Sequence, residues 1–173
     1  MDLDCRFEPL DGCHDRTAFR CGVESLDAYL RTQASQDMRR KANAVFVLVA
    51  PQERQRIIGY FTLCAHTLAQ GAVPEAARRH IPRYPLVSAT LIGRLAIARQ
   101  EQGRGWGAVI LTRALRVSYD NAAIVGSSMV VVDAISEEAA TFYEAHGFTR
   151  LVDSFRLAMP MATIADAIKA AGD

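Results

Sequence analysis

A glycine-bearing loop between two apolar segments constrains the fold of this chain most strongly. Residues 87–98 are mainly apolar, and they run into the polar, glycine-bearing segment 99–107. From Trp106 to about Tyr119, apolar residues recur at helical spacing. Glycines let backbone N–H groups approach a phosphate closely, and the helix N-terminus adds partial positive charge. The segment therefore predicts a central strand, an anion-binding loop and a helix, in that order.

The residues before this loop predict one helix and a β-hairpin. Apolar residues recur at helical spacing over 25–39, where Ser25 can cap the start. Residues 44–50 and 57–65 are apolar and β-rich with a polar turn between them, so they predict two antiparallel strands. The proline-rich stretch from residue 68 to 85 predicts an irregular segment with at most a short helix after Pro74.

The residues after the loop predict further strands and helices. Residues 129–134 form a short buried strand, and Ser136 is an N-cap for the helix that follows. Residues 148–159 predict one strand that is bent or interrupted near Asp153, and a last helix covers 163–171. The whole pattern predicts an α/β (α+β) fold in which helices flank a mixed, mostly antiparallel central sheet.

Two other kinds of phosphate site begin with a similar loop. A dinucleotide site could use Asp133, which ends a strand about 25 residues further on, to bind a ribose hydroxyl. However, Ala108 follows Gly107 where that fingerprint needs its third glycine, and an antiparallel hairpin precedes the loop. A P-loop is excluded because no Gly-Lys-Ser or Gly-Lys-Thr occurs. The surroundings of the loop therefore disfavour both alternatives.

Length and composition predict a single domain over residues 1–173, with 163–173 as a C-terminal helical extension. No segment approaches the roughly 18 consecutive apolar residues that span a bilayer. The first ten residues carry four charged side chains, which leaves no room for the apolar stretch of a secretion signal. We therefore expect a cytoplasmic protein without a membrane partner.

The four cysteines give no metal or disulfide pattern. Cys5, Cys13, Cys21 and Cys64 are irregularly spaced, and they form neither a Cys-x-x-Cys pair nor a small-protein disulfide framework. Their spacing to the histidines matches no structural zinc site. We expect isolated, mostly buried thiols and no metal.

Two basic clusters stand out although the net charge is only +1. The first cluster is Arg39, Arg40 and Lys41, and the second is Arg78, Arg79 and Arg83. Such clusters are common on plain solvated surfaces, yet two of them beside one active site could hold a polyanion.

Two motifs, in this order, resemble those of the GNAT acetyltransferases. Gln102, Gly105 and Gly107 match the family's Gln/Arg-x-x-Gly-x-Gly/Ala loop. The segment Phe142-Tyr143-Glu-Ala-His-Gly-Phe148 is similar to its A-x-x-F-Y-x-x-x-G-F helix and strand. The resemblance implies a GNAT-like domain that uses acetyl-CoA as co-substrate.

A narrower resemblance covers nearly the whole chain, from Phe7 to Met161. Segments such as Gly93-Arg-Leu-Ala96, Val131-Val-Asp-Ala134 and Arg156-Leu-Ala-Met-Pro160 are similar to the TacT-type toxins of bacterial toxin–antitoxin pairs. It implies an enzyme that acetylates the amino group of aminoacyl-tRNA, is inhibited by a ribbon-helix-helix antitoxin and forms a homodimer. In that reading the two basic clusters hold tRNA phosphates.

The same resemblance assigns the cofactor-binding residues. The backbone of Leu95, Ala96 and Ile97 would meet the pantetheine arm and the acetyl carbonyl. The diphosphate would lie on the loop formed by Gln102, Gly103, Arg104, Gly105, Trp106 and Gly107.

Tyr143 is the expected catalytic residue. Spacing alone leaves open whether Phe142 and Tyr143 are core aromatics, because adjacent helix positions point in different directions. The resemblance implies that Tyr143 faces the sulfur of the coenzyme. Because tyrosine has a pKa of ~10 and a thiol ~8.5, full proton transfer in water is uphill by roughly 2 kcal/mol. The phenol is therefore expected to act first as a hydrogen-bond donor to the developing thiolate.

No acidic residue occupies 93–98, where many relatives of this kind place a general base. The acceptor amine would then lose its proton through water or arrive neutral, which suits the weakly basic amine of an aminoacyl ester. Two alternatives remain open at this level. One is a GNAT enzyme for a small-molecule amine or a protein N-terminus, and the other is a non-catalytic module that binds coenzyme A.

Overall fold

The computed structural model describes residues 5–151 and 154–172. Its strands are β1 (Arg6–Pro9), β2 (Ala44–Ala50), β3 (Glu53–Ala69), β4 (Leu86–Ile97), β5 (Met129–Asp133), β6 (Thr149–Arg150) and β7 (Arg156–Pro160). Its α-helices are α1 (Glu24–Ala28), α2 (Ala34–Arg39), α3 (Glu75–Arg78), α4 (Trp106–Ala122), α5 (Glu137–Ala145) and α6 (Met161–Ala170). A π-helical turn, Tyr29–Gln33, joins α1 to α2, and short 3-10 turns cover Gln70–Ala72 and Arg99–Glu101.

Over these residues the strands follow the order β1-β2-β3-β4-β5-β7-β6 in a seven-stranded sheet. Strands β4 and β5 run parallel, whereas the pairs β1–β2, β2–β3, β5–β7 and β6–β7 are antiparallel. The predicted mixed, mostly antiparallel sheet with flanking helices is confirmed.

The chain divides into two compact units. Of the described residues, the first comprises 5–64 and 93–112. Its core packs α1 and the π-helical turn on alternate side chains of β2, which is why Leu30, Val47 and Tyr60 are completely buried. Val45, Val47 and Val49 face this core because side chains alternate between the two faces of a strand, and Leu48 is buried on the other face.

The second unit comprises residues 65–92, 113–151 and 154–172. Its core joins the start of β4 to β5 and β7, with Met129 and Val131 completely buried. Ser136 accepts a hydrogen bond of 3.1 Å from the Ala139 N–H, so the predicted N-cap of α5 is confirmed. The short helix predicted after Pro74 is also confirmed, as α3.

Four sequence predictions need correction. Ser25 does not cap α1, because the N-cap is Val23 and makes no side-chain hydrogen bond there. Strand β3 is longer than predicted at both ends: it begins at Glu53, which pairs with Ala50 of β2, and it continues to Ala69. Residues 148–159 hold two strands that pair antiparallel with each other, not one bent strand, and the bend near Asp153 lies outside the described residues. The final helix begins two residues before Thr163.

Candidate active site

The glycine loop has the backbone expected of an anion site. The side chains from Gln102 to Gly105 are exposed, and Gly103 and Gly105 have φ values of 78° and 86°. These left-handed values are strained for residues with a Cβ. Helix α4 begins at Trp106, and the first N–H groups of a helix have no acceptor within it. The loop therefore presents free donors at the positive end of a long helix dipole.

Gln102 fixes one end of this loop. Its side-chain amide donates to the carbonyl oxygens of Cys21 at 2.7 Å and Ile97 at 2.9 Å. One side chain thus ties the loop to the end of β4 and to the segment before α1. This contact gives a structural reason for glutamine at the first position of the motif.

Glu101 fixes the base of the loop. Its carboxylate is buried and accepts hydrogen bonds from Arg56 at 2.7 Å and Arg104 at 2.8 Å. These bonds hold the pKa of Glu101 below its ordinary value, so the carboxylate is charged at neutral pH. Arg104, expected from the sequence beside a bound diphosphate, has one guanidinium nitrogen committed to Glu101. No local pattern indicated the role of Glu101, since its contact with Arg56 joins residues 45 positions apart.

Replacing Glu101 by glutamine should destabilise the protein by about 1–3 kcal/mol at pH 7, because the two arginines lose a buried acceptor charge. Because the pKa of Glu101 is lowered in the folded protein, the stabilisation by its carboxylate is present above about pH 4.5 and is lost on acidification. Urea unfolding of both proteins at pH 7 and pH 3.5 measures this difference. Glu53→Gln is the matched control, because Glu53 meets the same Arg56 at 3.4 Å but is exposed, and it should cost under about 0.5 kcal/mol.

The end of β4 lies close against β3. A Cβ on Gly59 would lie 2.7 Å from the Ala96 carbonyl oxygen, so only glycine allows this approach. Ala96 is buried, whereas Leu95 and Ile97 are half-buried. The structure therefore places the three predicted pantetheine-binding residues on one strand end, directly before the glycine loop.

Tyr143 belongs to the second unit and lies on α5. Its ring is 7% exposed and packs edge-on against Phe142 and Phe148, with centroid distances of 5.3 and 5.6 Å. Its hydroxyl makes no hydrogen bond with any residue that the structure describes. Burial raises the pKa of Tyr143 to about 12. The ring of Tyr143 packs in the core, while its protonated hydroxyl has no hydrogen-bond partner among the described residues. A core role and a role as a hydrogen-bond donor are therefore compatible.

The two basic clusters differ in how their side chains are used. Arg39, Arg40 and Lys41 are exposed at the end of α2. In the second cluster, Arg78 donates to the carbonyl oxygens of Val73 and Gly71 and so supports its own loop. Arg79 and Arg83 are exposed. The first cluster is thus the better candidate for phosphate contacts.

A cleft of about 610 Å³ in the second unit was not anticipated from the sequence. Arg156 lines it and donates to both carboxylate oxygens of Asp133, at 2.7 and 2.9 Å. A third Arg156 nitrogen lies 2.9 Å from His66 Nε2. The pKa of His66 is lowered, first because the ring is partly buried and second because the positive charge of Arg156 is close. Asp133 is therefore neutralised by Arg156 and is not a free acceptor for a ribose hydroxyl, which further weakens the dinucleotide alternative.

The thiols are free, but they are less buried than expected. Only Cys21 is buried, whereas Cys5 and Cys64 are half-buried and Cys13 is exposed. Ligand atoms of Glu8, Cys13 and His14 lie within 4.8 Å of one another. Both ring nitrogens of His14 already have partners: Nε2 lies 2.6 Å from Glu8, and Nδ1 accepts from the Asp11 N–H. This cluster is accounted for by its own hydrogen bonds.

The mixed sheet with its flanking helices matches the fold of the GNAT class of acetyltransferases. A tRNA-acetylating toxin of Mycobacterium tuberculosis (strain ATCC 25618 / H37Rv) is 33% identical over 129 residues, which is 75% of either chain. The chain belongs to this family of tRNA-acetylating toxins. A probable toxin TacT of Sinorhizobium fredii (strain NBRC 101917 / NGR234) is 26% identical over 166 residues, or 91% of either chain. No family model matches the chain.

Solved structures agree with this assignment. AtaT complexed with acetyl-methionyl-tRNAfMet has a TM-score of 0.87 and 32% identity, covering 95% of this chain and 99% of that chain. Other AtaT structures contain acetyl-CoA, or the C-terminus of the antitoxin AtaR. Some of them carry a tyrosine-to-phenylalanine substitution. Among the described residues of the present chain, no helix is both long and apolar enough to cross a membrane.

Proposed function

We propose that this protein transfers the acetyl group of acetyl-CoA to the α-amino group of an aminoacyl-tRNA and thereby blocks translation. Family membership and the AtaT complexes with acetylated tRNA and with acetyl-CoA support the reaction. The observation that carries the proposal is the phenol of Tyr143, a buried side chain whose hydroxyl has no hydrogen bond to the described residues and stays protonated.

We assign the coenzyme to the first unit. The amides of Gln102, Gly103, Arg104, Gly105, Trp106 and Gly107 would bind the diphosphate. Two left-handed glycines and free helix N–H groups suit a doubly charged ligand that must approach the backbone closely. The backbone of Leu95, Ala96 and Ile97 would bind the pantetheine arm and the acetyl carbonyl. The chemistry of these donors thus fits the ligand, and the reaction as proposed needs no metal.

Tyr143 would stabilise the leaving thiolate. With its pKa near 12 against ~8.5 for a thiol, complete proton transfer from the phenol is uphill by roughly 5 kcal/mol. The hydroxyl therefore acts as a hydrogen-bond donor while negative charge develops on sulfur. The proton shed by the attacking amine finally resides on the thiol, so the phenol is regenerated after each turnover.

The absence of an acidic residue in the segment 93–98 supports an acceptor of low basicity. An aminoacyl ester amine is such an acceptor, since more of it is neutral at pH 7 than of a lysine side chain. A base-free site is sufficient for that amine, whereas it would be slow for an alkylamine of high pKa.

Incubating the protein with labelled acetyl-CoA and total charged tRNA tests the proposed function directly. We expect label on tRNA, released by mild alkali as an N-acetyl amino acid. Label transferred only to small amines or protein N-termini would identify the alternative enzyme. Binding of acetyl-CoA without transfer to any acceptor would identify the non-catalytic module.

The first basic cluster should contribute to tRNA affinity. Replacing Arg39, Arg40 and Lys41 together by glutamine removes up to three phosphate contacts. We expect a raised KM for charged tRNA, and a slope of log affinity against log salt that is smaller by up to about 2. The KM for acetyl-CoA should not change. An unchanged salt dependence would show that this cluster is ordinary solvated surface.

We also propose a ribbon-helix-helix antitoxin as partner and a homodimer as the active form, acting in the cytoplasm, where charged tRNA is used. The AtaT complexes with the C-terminus of AtaR support the first assignment. Co-purification with the product of a neighbouring small gene tests the antitoxin complex. Light scattering of the free protein tests the homodimer.

A further inference from the structure

Arg94 lies on β4 directly before the strand end Leu95–Ile97. Its side chain is half-buried, and its guanidinium carbon lies 3.4 Å from the centroid of the Tyr29 ring. A guanidinium held over the face of a tyrosine is attracted by the negative charge of the ring face. This stacking leaves the edge of the guanidinium, which carries its N–H donors, turned away from the ring.

Tyr29 is itself held firmly. It is 6% exposed, and its hydroxyl donates to Asp37 at 2.8 Å. Asp37 also accepts hydrogen bonds from the side-chain amides of Gln33 and Asn43, both at 3.0 Å. Tyr29 opens the π-helical turn between α1 and α2, and such turns are frequent at functional sites. The ring is therefore a rigid platform that fixes the orientation of Arg94.

The guanidinium of Arg94 has no hydrogen bond or ion pair to any residue of the described part of the chain. Its charge contributes to lowering the pKa of Asp37, but the two side chains do not form an ion pair. Four other half-buried arginines each bind a carboxylate, namely Arg31, Arg56, Arg150 and Arg156. The half-buried Arg16 instead donates a hydrogen bond to the Ser35 hydroxyl. A half-buried cation without a bound carboxylate is costly unless a ligand supplies the anion.

We propose that Arg94 binds a backbone phosphate at the 3′ end of the acceptor tRNA. This inference rests on the proposed function. The aminoacyl ester has no free carboxylate, so phosphate is the anionic group that such an acceptor offers near its reactive amine. A guanidinium fork binds two phosphate oxygens at once. Arg94 precedes the strand residues assigned to the acetyl group, so a phosphate held there lies close to the terminal nucleoside.

Coenzyme A also carries phosphates, and kinetics separate the two sources. Arg94→Gln should raise the KM for charged tRNA by roughly 10–100-fold, the loss of one charge-assisted bidentate contact. The KM for acetyl-CoA should stay the same. With an aminoacyl-adenosine that lacks phosphate, wild type and Arg94→Gln should be equally active. Arg94→Lys should lie between them, since lysine keeps the charge without the planar fork.

Two further variants test the site against a merely structural role. Arg116→Gln is the matched control, because Arg116 is an exposed arginine paired with Asp120, and its KM for tRNA should be unchanged. Tyr29→Leu removes the ring that holds Arg94, so it should raise the KM for charged tRNA and leave the KM for acetyl-CoA unchanged. Thermal unfolding of each variant verifies folding.

The outcomes separate this inference from the proposed function. A raised KM for acetyl-CoA, or an equal loss on the phosphate-free acceptor, would overturn the phosphate assignment alone. Unchanged kinetics on charged tRNA would do the same. A wild-type protein that transfers acetyl groups to no tRNA would overturn the proposed function, and this inference with it.

Discussion

Replacement of Tyr143 by phenylalanine should lower kcat by about 10²–10³-fold, the range typical of losing one hydrogen bond to charge that develops in the transition state. The KM values for acetyl-CoA and tRNA should change little, because the hydroxyl interacts with charge that develops only in the transition state. Folding should be unaffected, since the ring contacts with Phe142 and Phe148 remain and the hydroxyl has no hydrogen bond to lose among the described residues. Steady-state acetylation of charged tRNA, with denaturant unfolding of the same samples, measures both effects.

Tyr119→Phe is the matched control for this substitution. Tyr119 lies on α4, is half-buried and is not assigned to the reaction, so its variant should keep full activity. A pH profile adds a second check. Because the pKa of Tyr143 is raised to about 12, its ionisation should cause no loss of activity up to about pH 10. Full activity of Tyr143→Phe would show that another group stabilises the thiolate.

Replacement of Gly105 by valine should weaken acetyl-CoA binding by about 100-fold or more. Gly105 has a φ of 86°, and a β-branched residue at that value costs about 1–3 kcal/mol in strain. Relief of the strain would turn the backbone N–H groups of the loop away from the diphosphate, and the new side chain would fill the space in front of them. Calorimetric titration with acetyl-CoA measures the loss of affinity.

Gly12→Val is the control for the glycine substitution. A Cβ at Gly12 meets no atom within 4 Å, and its φ is not among the positive values. This variant should bind acetyl-CoA normally. Unaltered binding by Gly105→Val would mean that the diphosphate lies elsewhere, and the assignment of the whole loop would have to be withdrawn.

Local patterns predicted most of the secondary structure. Apolar spacing and a capping serine were enough for α5, and a strand followed by a glycine loop was enough for the junction of β4 and α4. These features depend on residues close together in sequence. The errors arose where pairing with a distant strand decided the outcome. Strand β3 begins in a polar segment because Glu53 pairs with Ala50 of β2, and residues 148–159 hold two strands because β6 and β7 pair with each other.

Resemblance to a family singled out Tyr143 as the residue to test, whereas local patterns in the sequence were enough for the class of fold, most of its elements and the glycine loop. Those are short-range patterns, in which spacing and residue type carry the physical information. Tertiary structure alone decided which charges are neutralised. Glu101 binds Arg56, Asp133 binds Arg156, and Arg94 stacks on Tyr29, in each case through residues far apart along the chain. No local pattern can predict such pairs, because contact between distant residues depends on the packing of the folded chain.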